Sequence, residues 1–145
     1  RKTEIFSSFI IKNKQKLRKS VNEIINFTKK NNIKLALSTS TTINNVEAVF
    51  KSLSNQISKE DFHFIGNRSL VKYEKPNPEI YKLTLEKLNL EPDNCLAIED
   101  TEESSKSAVS AGIKCIGFPG DYHSDDSFEM CIKKVKILDQ SLFSL

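Results

Sequence analysis

Four short apolar runs, separated by stretches of helical periodicity, constrain this chain more than any other feature. They are Ile33-Lys-Leu-Ala-Leu-Ser38, Phe62-His-Phe-Ile65, Cys95-Leu-Ala-Ile-Glu99 and Lys114-Cys-Ile-Gly-Phe118. Each has the length of a strand. Between and around them Val21, Ile24, Ile25 and Thr28, then Val46, Val49, Phe50 and Leu53, then Ile80, Tyr81, Leu85 and Leu88, recur at helical spacing, and Ala108, Val109 and Ala111 mark a fourth helix. Strands alternating with helices imply an α/β architecture, a parallel sheet with helices on both faces. A last edge strand is predicted over Val135–Leu138, and Ile5, Phe6, Phe9 and Ile10 predict a helix over Thr3–Ile11. Local signals punctuate the pattern. Ser20-Val-Asn-Glu23 reads as a capping box, Asn77 and Pro78 as the cap and first residue of a helix, and Gly112 as the stop of the next.

A length of 145 residues allows one domain. The net charge of +3 is small. Its densest part, Lys12, Lys14, Lys16, Arg18 and Lys19, is interleaved with apolar residues and predicts the wet face of a helix, not a nucleic-acid track. No apolar run approaches the roughly 20 residues of a membrane span. Neither nucleic acid nor membrane is therefore expected as a partner. Cys95, Cys115 and Cys131 are widely spaced without a C-x-x-C pair, which predicts reduced core thiols and a cytoplasmic location.

In sheets of this kind ligands bind beyond the carboxyl ends of the strands. Three polar stretches are predicted there. In Ser38-Thr-Ser-Thr-Thr42, hydroxyls and backbone amides can hold phosphate oxygens, or else cap the following helix. Lys75, just before Pro76, offers a cation. In Glu99-Asp100-Thr101 two adjacent carboxylates leave an apolar strand, a donor set that suits Mg²⁺, unless Asp100 merely caps the next helix. Together the three can neutralise and orient a phosphate beside a magnesium ion. His63, inside a strand, and His123, in a polar turn, read as structural. Only 4 glycines are present and none are clustered, which excludes a glycine-rich phosphate loop.

In order and spacing these stretches resemble the haloacid dehalogenase superfamily. Thr39 falls where that family's second motif has its Ser/Thr. Lys75 in Lys-Pro-Asn-Pro-Glu-Ile-Tyr81 matches the third-motif lysine in its K-P-x-P-x-x-Y form. Ile98-Glu-Asp-Thr101 through Ala111-Gly112 matches the fourth motif. Arg1-Lys-Thr-Glu-Ile5 and Ser38–Thr42 are most similar to the CbbY branch, near β-phosphoglucomutase and the sugar-bisphosphate phosphatases. The resemblance implies a Rossmann-like parallel sheet and a Mg²⁺-dependent phosphatase. Its expected substrate is a small phosphorylated sugar, cleaved through an aspartyl-phosphate; the complete protein is expected to be a monomer. A phosphomutase, or a non-catalytic module of the same fold, are the alternatives. It implies Thr39 and Lys75 as catalytic residues, Ser40 as a further phosphate ligand, and Asp100 with Glu99 as metal ligands. The family's first motif, D-x-D-G-T/V, occurs nowhere in the chain. The expectation is therefore that residues 1–17 are the end of a helical cap and its return linker. Residues 18–145 are then an incomplete α/β core, and the central strand with the nucleophile is absent. Alone, such a chain is expected to be inactive.

Overall fold

The computed structural model describes the backbone of residues 3–6 and residues 17–145, the side chain of residue 121 excepted. Its strands are β1 (Thr3–Phe6), β2 (Leu35–Ser38), β3 (Phe64–Gly66), β4 (Cys95–Glu99), β5 (Lys114–Gly117) and β6 (Lys133–Lys134). They form one sheet in the order β3-β2-β1-β4-β5-β6, and every pair is parallel. The helices are α1 (Val21–Lys30), α2 (Ile43–Ser52), α3 (Glu79–Leu88) and α4 (Glu102–Ser110).

The period of two along each strand divides the interior into two cores. Leu35, Leu37, Leu96, Ile98 and Ile116 pack with Val21, Ile24 and Ile25 of α1 and Val46 and Phe50 of α2. On the other face Ala36, Cys95, Ala97 and Cys115 meet Ile80, Tyr81 and Leu85 of α3 and Ala108 of α4. The small residues on this second face leave room for α3 and α4, and Glu99, two residues beyond Ala97, shares it. This is the doubly wound α/β sheet that the alternation predicts.

Four expectations are corrected. The first is that Thr3–Ile11 forms a helix and that the centre of the sheet is missing. Thr3–Phe6 is a strand lying in that centre, with Ile5 level with Ala36 on one side and Ala97 on the other. β2 and β4 are buried throughout and each needs a ladder partner, which β1 supplies. The apolar pair Ile5-Phe6 is too short for periodicity to separate strand from helix. Residues 7–16, with most of the expected cap end, linker and basic cluster, lie outside the described residues. Second, β6 is Lys133–Lys134, not Val135–Leu138. Val135 still donates to Gly117 O at 2.8 Å, but the chain then leaves the sheet to bury Leu138 in the core beside α1.

Third, the Ser20 capping box does not form. Ser20 sits at φ 75° and makes no side-chain cap bond; its hydroxyl accepts from Leu138 N at 2.8 Å. Fourth, the wet helical face fails where it is described: Arg18 and Lys19 lie in the turn before α1. Of the other two local readings, the helix after Pro76 starts one residue later than expected, at Glu79 with Pro78 in the cap position, and the Gly112 stop holds. Asn77 Oδ1 accepts from Glu79 N at 2.9 Å, and Gly112 ends the α4 segment at φ 85°, where a side chain would be strained. No helix among the described residues is long and apolar enough to cross a membrane.

Candidate functional site

The order of the sheet changes direction at β1, so the carboxyl ends of β2 and β4 flank the point where a ligand crevice is expected. Ser38 and Thr39 lie at one end, Glu99 and Asp100 at the other. The segment after β5 closes on the same place, with Phe118 N donating to Glu99 O (2.7 Å) and Gly120 N to Asp100 O (3.3 Å).

Lys75 arrives from the loop between β3 and α3, and that loop is fastened along its length. Arg68 donates to Val71 O (2.8 Å) and pairs with Glu74 (3.0 Å). The Glu79 carboxylate accepts from Lys72 N (2.8 and 2.9 Å) and Tyr73 N, and Ser107 Oγ of α4 donates to Asn77 O (2.8 Å). Such bonds convert a polar loop into a fixed arm.

The Lys75 Nζ donates to Ser38 O at 2.8 Å and to Glu99 Oε2 at 2.7 Å. Its side chain is 5% exposed and that of Glu99 not at all. The Tyr81 hydroxyl donates to the same Glu99 oxygen, and the Tyr81 ring lies 5.2 Å from Nζ. Burial pushes the Glu99 carboxyl up to about 7, against the downward pull of the Lys75 charge and of the hydrogen bonds from Lys75 and Tyr81. An ammonium carries three N–H donors. Two are used here, and the third has no acceptor among the described residues, so it can serve an anion at the sheet end.

Thr39 is buried, with its amide on Gly66 O (3.0 Å) and its Oγ1 accepting from Thr41 N (3.2 Å). A hydroxyl that accepts from an amide still has its own hydrogen to donate. Ser40 is exposed at the mouth. The capping work that competes with a ligand role falls to neighbours: Thr42 Oγ1 accepts from Asn45 N (3.3 Å) and Thr101 from Ser104 N (3.0 Å). Asp100 is therefore not the cap of α4. It is 9% exposed, and its carboxylate has no hydrogen-bond or ion-pair partner among the described residues. A nearly buried carboxylate without a partner fits a hard cation. Glu99, expected beside it on a metal, turns Oε2 to Lys75 and Tyr81. No group of three or more His, Cys, Asp or Glu converges among the described residues, so Asp100 offers one protein ligand, not a complete shell.

Sequence reasoning missed two contributors. Tyr81 was visible as a core residue of its helix and as the last letter of a motif, not as a site residue; six residues after Lys75 and on the core face of α3, it aims at the same carboxylate. Arg18 gave no signal. Its guanidinium donates to Phe118 O and Pro119 O, both at 2.7 Å, and stacks 3.5 Å over the Phe118 ring, tying the start of α1 to the segment beside Asp100.

A family model described as haloacid dehalogenase-like hydrolase matches residues 2–112. Protein CbbY of Cereibacter sphaeroides is 33% identical over 127 residues, which is 88% of this chain and 55% of that protein. A phosphorylated carbohydrates phosphatase of Thermotoga maritima is 37% identical over 116 residues, 79% of this chain and 50% of that protein. The crystal structure of a CbbY mutant from Rhodobacter sphaeroides in complex with xylulose-(1,5)bisphosphate superposes with a TM-score of 0.78 at 32% identity, covering 82% of this chain and 53% of that one. The chain thus spans about half the length of the relatives it matches.

Proposed function

Because the chain belongs to the haloacid dehalogenase-like hydrolases, in their CbbY and β-phosphoglucomutase-like branch, we propose that it forms the phosphate- and metal-binding part of a phosphatase acting on a small phosphorylated sugar. One observation carries the reading: a buried lysine, held by Ser38 O and Glu99 at the switch point of the sheet, with a third N–H still to give. Lys75 neutralises a phosphoryl oxygen, and the Thr39 hydroxyl, with Ser40 beside it, donates to another. Glu99 and Tyr81 hold the ammonium in place, so no reorganisation is needed as charge develops on the phosphoryl group. Asp100 is the residue that would hold Mg²⁺. When bound, that ion draws charge from the phosphoryl oxygens. No aspartate of the first-motif kind is present in this chain, so the nucleophile must come from elsewhere. The core then comprises Thr3–Phe6 together with residues 18–145, and a cytoplasmic, monomeric complete protein belongs to the same proposal. Two relatives carry phosphorylated carbohydrates in their names or ligands, which supports the substrate class.

Titration of the chain with inorganic phosphate and with a sugar bisphosphate, followed by amide NMR, tests the reading. Shifts are expected at Thr39, Ser40 and Lys75 and are lost in Lys75→Met. Shifts confined to other surfaces would refute it. Turnover is expected only when a segment bearing D-x-D-G is supplied, and Lys75→Ala should then lower it by about 10²-fold or more.

A further inference from the structure

The turn after the long loop that follows β5 brings a second thiol against the sheet. Ile132 N donates to Cys115 O at 2.9 Å, and the parallel ladder continues with Ile116 beside Lys133. Cys131 is therefore one residue from the position directly opposite Cys115. Neighbouring strands lie about 4.8 Å apart, inside the roughly 7 Å between Cα atoms that a disulfide can span. The approach is fixed from both sides. Phe128 is buried against Gly117, where a Cβ would meet its ring at 2.5 Å, and Cys131 N donates to Phe128 O at 3.0 Å. The two thiols pack in one core; Cys115 is buried, with its Sγ donating to Ile116 O at 3.7 Å, and Cys131 is half-buried. Cys95 is on the far side of Cys115. Ala97 is the residue paired with Cys115, so Cys95 is two residues out of register, roughly 8 Å away by strand geometry, and its Sγ donates to Glu91 O.

We propose that Cys131 and Cys115 are a thiol pair that a low-molecular-weight disulfide oxidises to an intramolecular cross-link, reversibly. The half-exposed Cys131 thiolate attacks one sulfur of the oxidant and releases the first thiolate. Cys115, losing its proton, then attacks the Cys131 sulfur of the mixed disulfide and releases the second. Two protein thiols lose two protons and two electrons, and the oxidant becomes two thiols. The division of roles follows the surroundings. The neighbouring Cys115 thiol holds the Cys131 thiol below its usual range, while that same proximity and burial push Cys115 up; ionised Glu99 opposes both thiolates. The cross-link closes the loop whose Gly120 N donates to Asp100 O and whose Asp126 accepts from Glu102 N, so oxidation stiffens the segment bordering the candidate site. None of this depends on the phosphatase reading.

Glutathione disulfide at graded ratios to glutathione tests it on the full chain, read by intact mass and by non-reducing peptide mapping. The expected product is a monomer about 2 Da lighter, with Cys115 joined to Cys131 and Cys95 still alkylatable. Cys95→Ser should behave like the parent, Cys115→Ser should stop at a glutathione adduct on Cys131, and Cys131→Ser should give neither. Oxidation should raise Tm by about 5–10 °C. Dissolving the chain in guanidinium should abolish the preference for this pair over Cys95. The proposal is overturned if the native chain keeps all three thiols, carries an unresolved adduct on Cys131, or links Cys95 or a second copy as readily.

Discussion

Removing the ammonium of Lys75 should destabilise the chain by an amount that depends on pH. At about pH 8 the Lys75–Glu99 pair is ionised and enclosed, with side-chain exposures of 5% and 0%. Lys75→Met leaves the Glu99 carboxylate in the same enclosure without its counter-charge and short of one hydrogen bond. Breaking a buried pair from one side costs about 3–5 kcal/mol. At about pH 5 Glu99 is already protonated in the folded parent, because its carboxyl titrates at about 7, and since only about one pH unit separates that value from pH 8 the loss should be smaller at pH 5 by about 1 kcal/mol.

The sign follows from proton counting. Between the ordinary glutamate value of 4.5 and about 7, folded Glu99 holds a proton that the unfolded chain has released, so this group's contribution to stability is present at low pH and lost as pH rises through that window. The separation corresponds to about 3 kcal/mol. Guanidinium unfolding followed by circular dichroism, at both pH values, compares the parent, Lys75→Met, Glu99→Gln and the double variant. The double variant, which buries no charge, should exceed Lys75→Met at about pH 8 by about 2 kcal/mol or more. Equal losses at the two pH values, or a double variant no more stable than Lys75→Met, would refute the buried-pair account.

Three further outcomes are expected. Gly117→Ala should cost about 1–3 kcal/mol in urea unfolding, because the new Cβ lies 2.5 Å from Phe128 Cδ1 and Phe128 is itself pinned at φ 51° in the core; a neutral substitution would show that the ring moves aside freely. Glu79→Ala should cost about 1–2 kcal/mol and speed hydrogen exchange at the Lys72 and Tyr73 amides, which lose their shared acceptor; unchanged exchange would mean the loop is held by other bonds. Mg²⁺ should bind the chain only at millimolar concentration or weaker, perturbing the Asp100 and Thr101 amides by NMR, and Asp100→Asn should erase the effect; tight binding, or binding that survives the substitution, would place the ion elsewhere.

What was legible in the sequence follows a physical division. The parallel sheet showed because buried strands and amphipathic helices have different periods, and those periods survive in any tertiary setting. Lys75, Thr39 and Asp100 stood out as candidates because their loops carry motif letters. The misreadings all lie where a short segment's fate is decided by a partner far along the chain. Thr3–Phe6 is a strand because β2 and β4 lie on either side of it. Ser20 gives its hydroxyl to Leu138, 118 residues away, instead of to its own helix. The chain after Lys134 leaves the sheet because Leu138 has a core to fill. Arg18 reaches two carbonyls beyond β5 across a separation of about 100 residues that no local pattern encodes.

The Lys75–Glu99–Tyr81 cluster is weak as a source of stability. Desolvating two ions consumes most of their attraction, and apolar residues of the same volume hold a core as well or better. Its geometry is better suited to fixing a cation. The second core beside it is lined by Ala36, Ala97, Ala108, Cys115, Ile80 and Leu85, an apolar face that strips water from a charge placed there. Glu99 ends the β4 row on that face, and its high carboxyl value records the strength of that desolvation. A lysine drawn to it cannot swing into solvent, because its ammonium is also bonded to the Ser38 carbonyl of the strand on the other side of β1. The ammonium is thereby centred over the middle of the sheet, tethered at two points and able to offer one donor outward. An exposed lysine on a free loop would present the same charge, but it would be screened by salt and would have to lose side-chain freedom at each encounter with a phosphate. Here that freedom is lost on folding, once, and the low-dielectric face that makes the pair costly also strengthens its hold on an incoming anion.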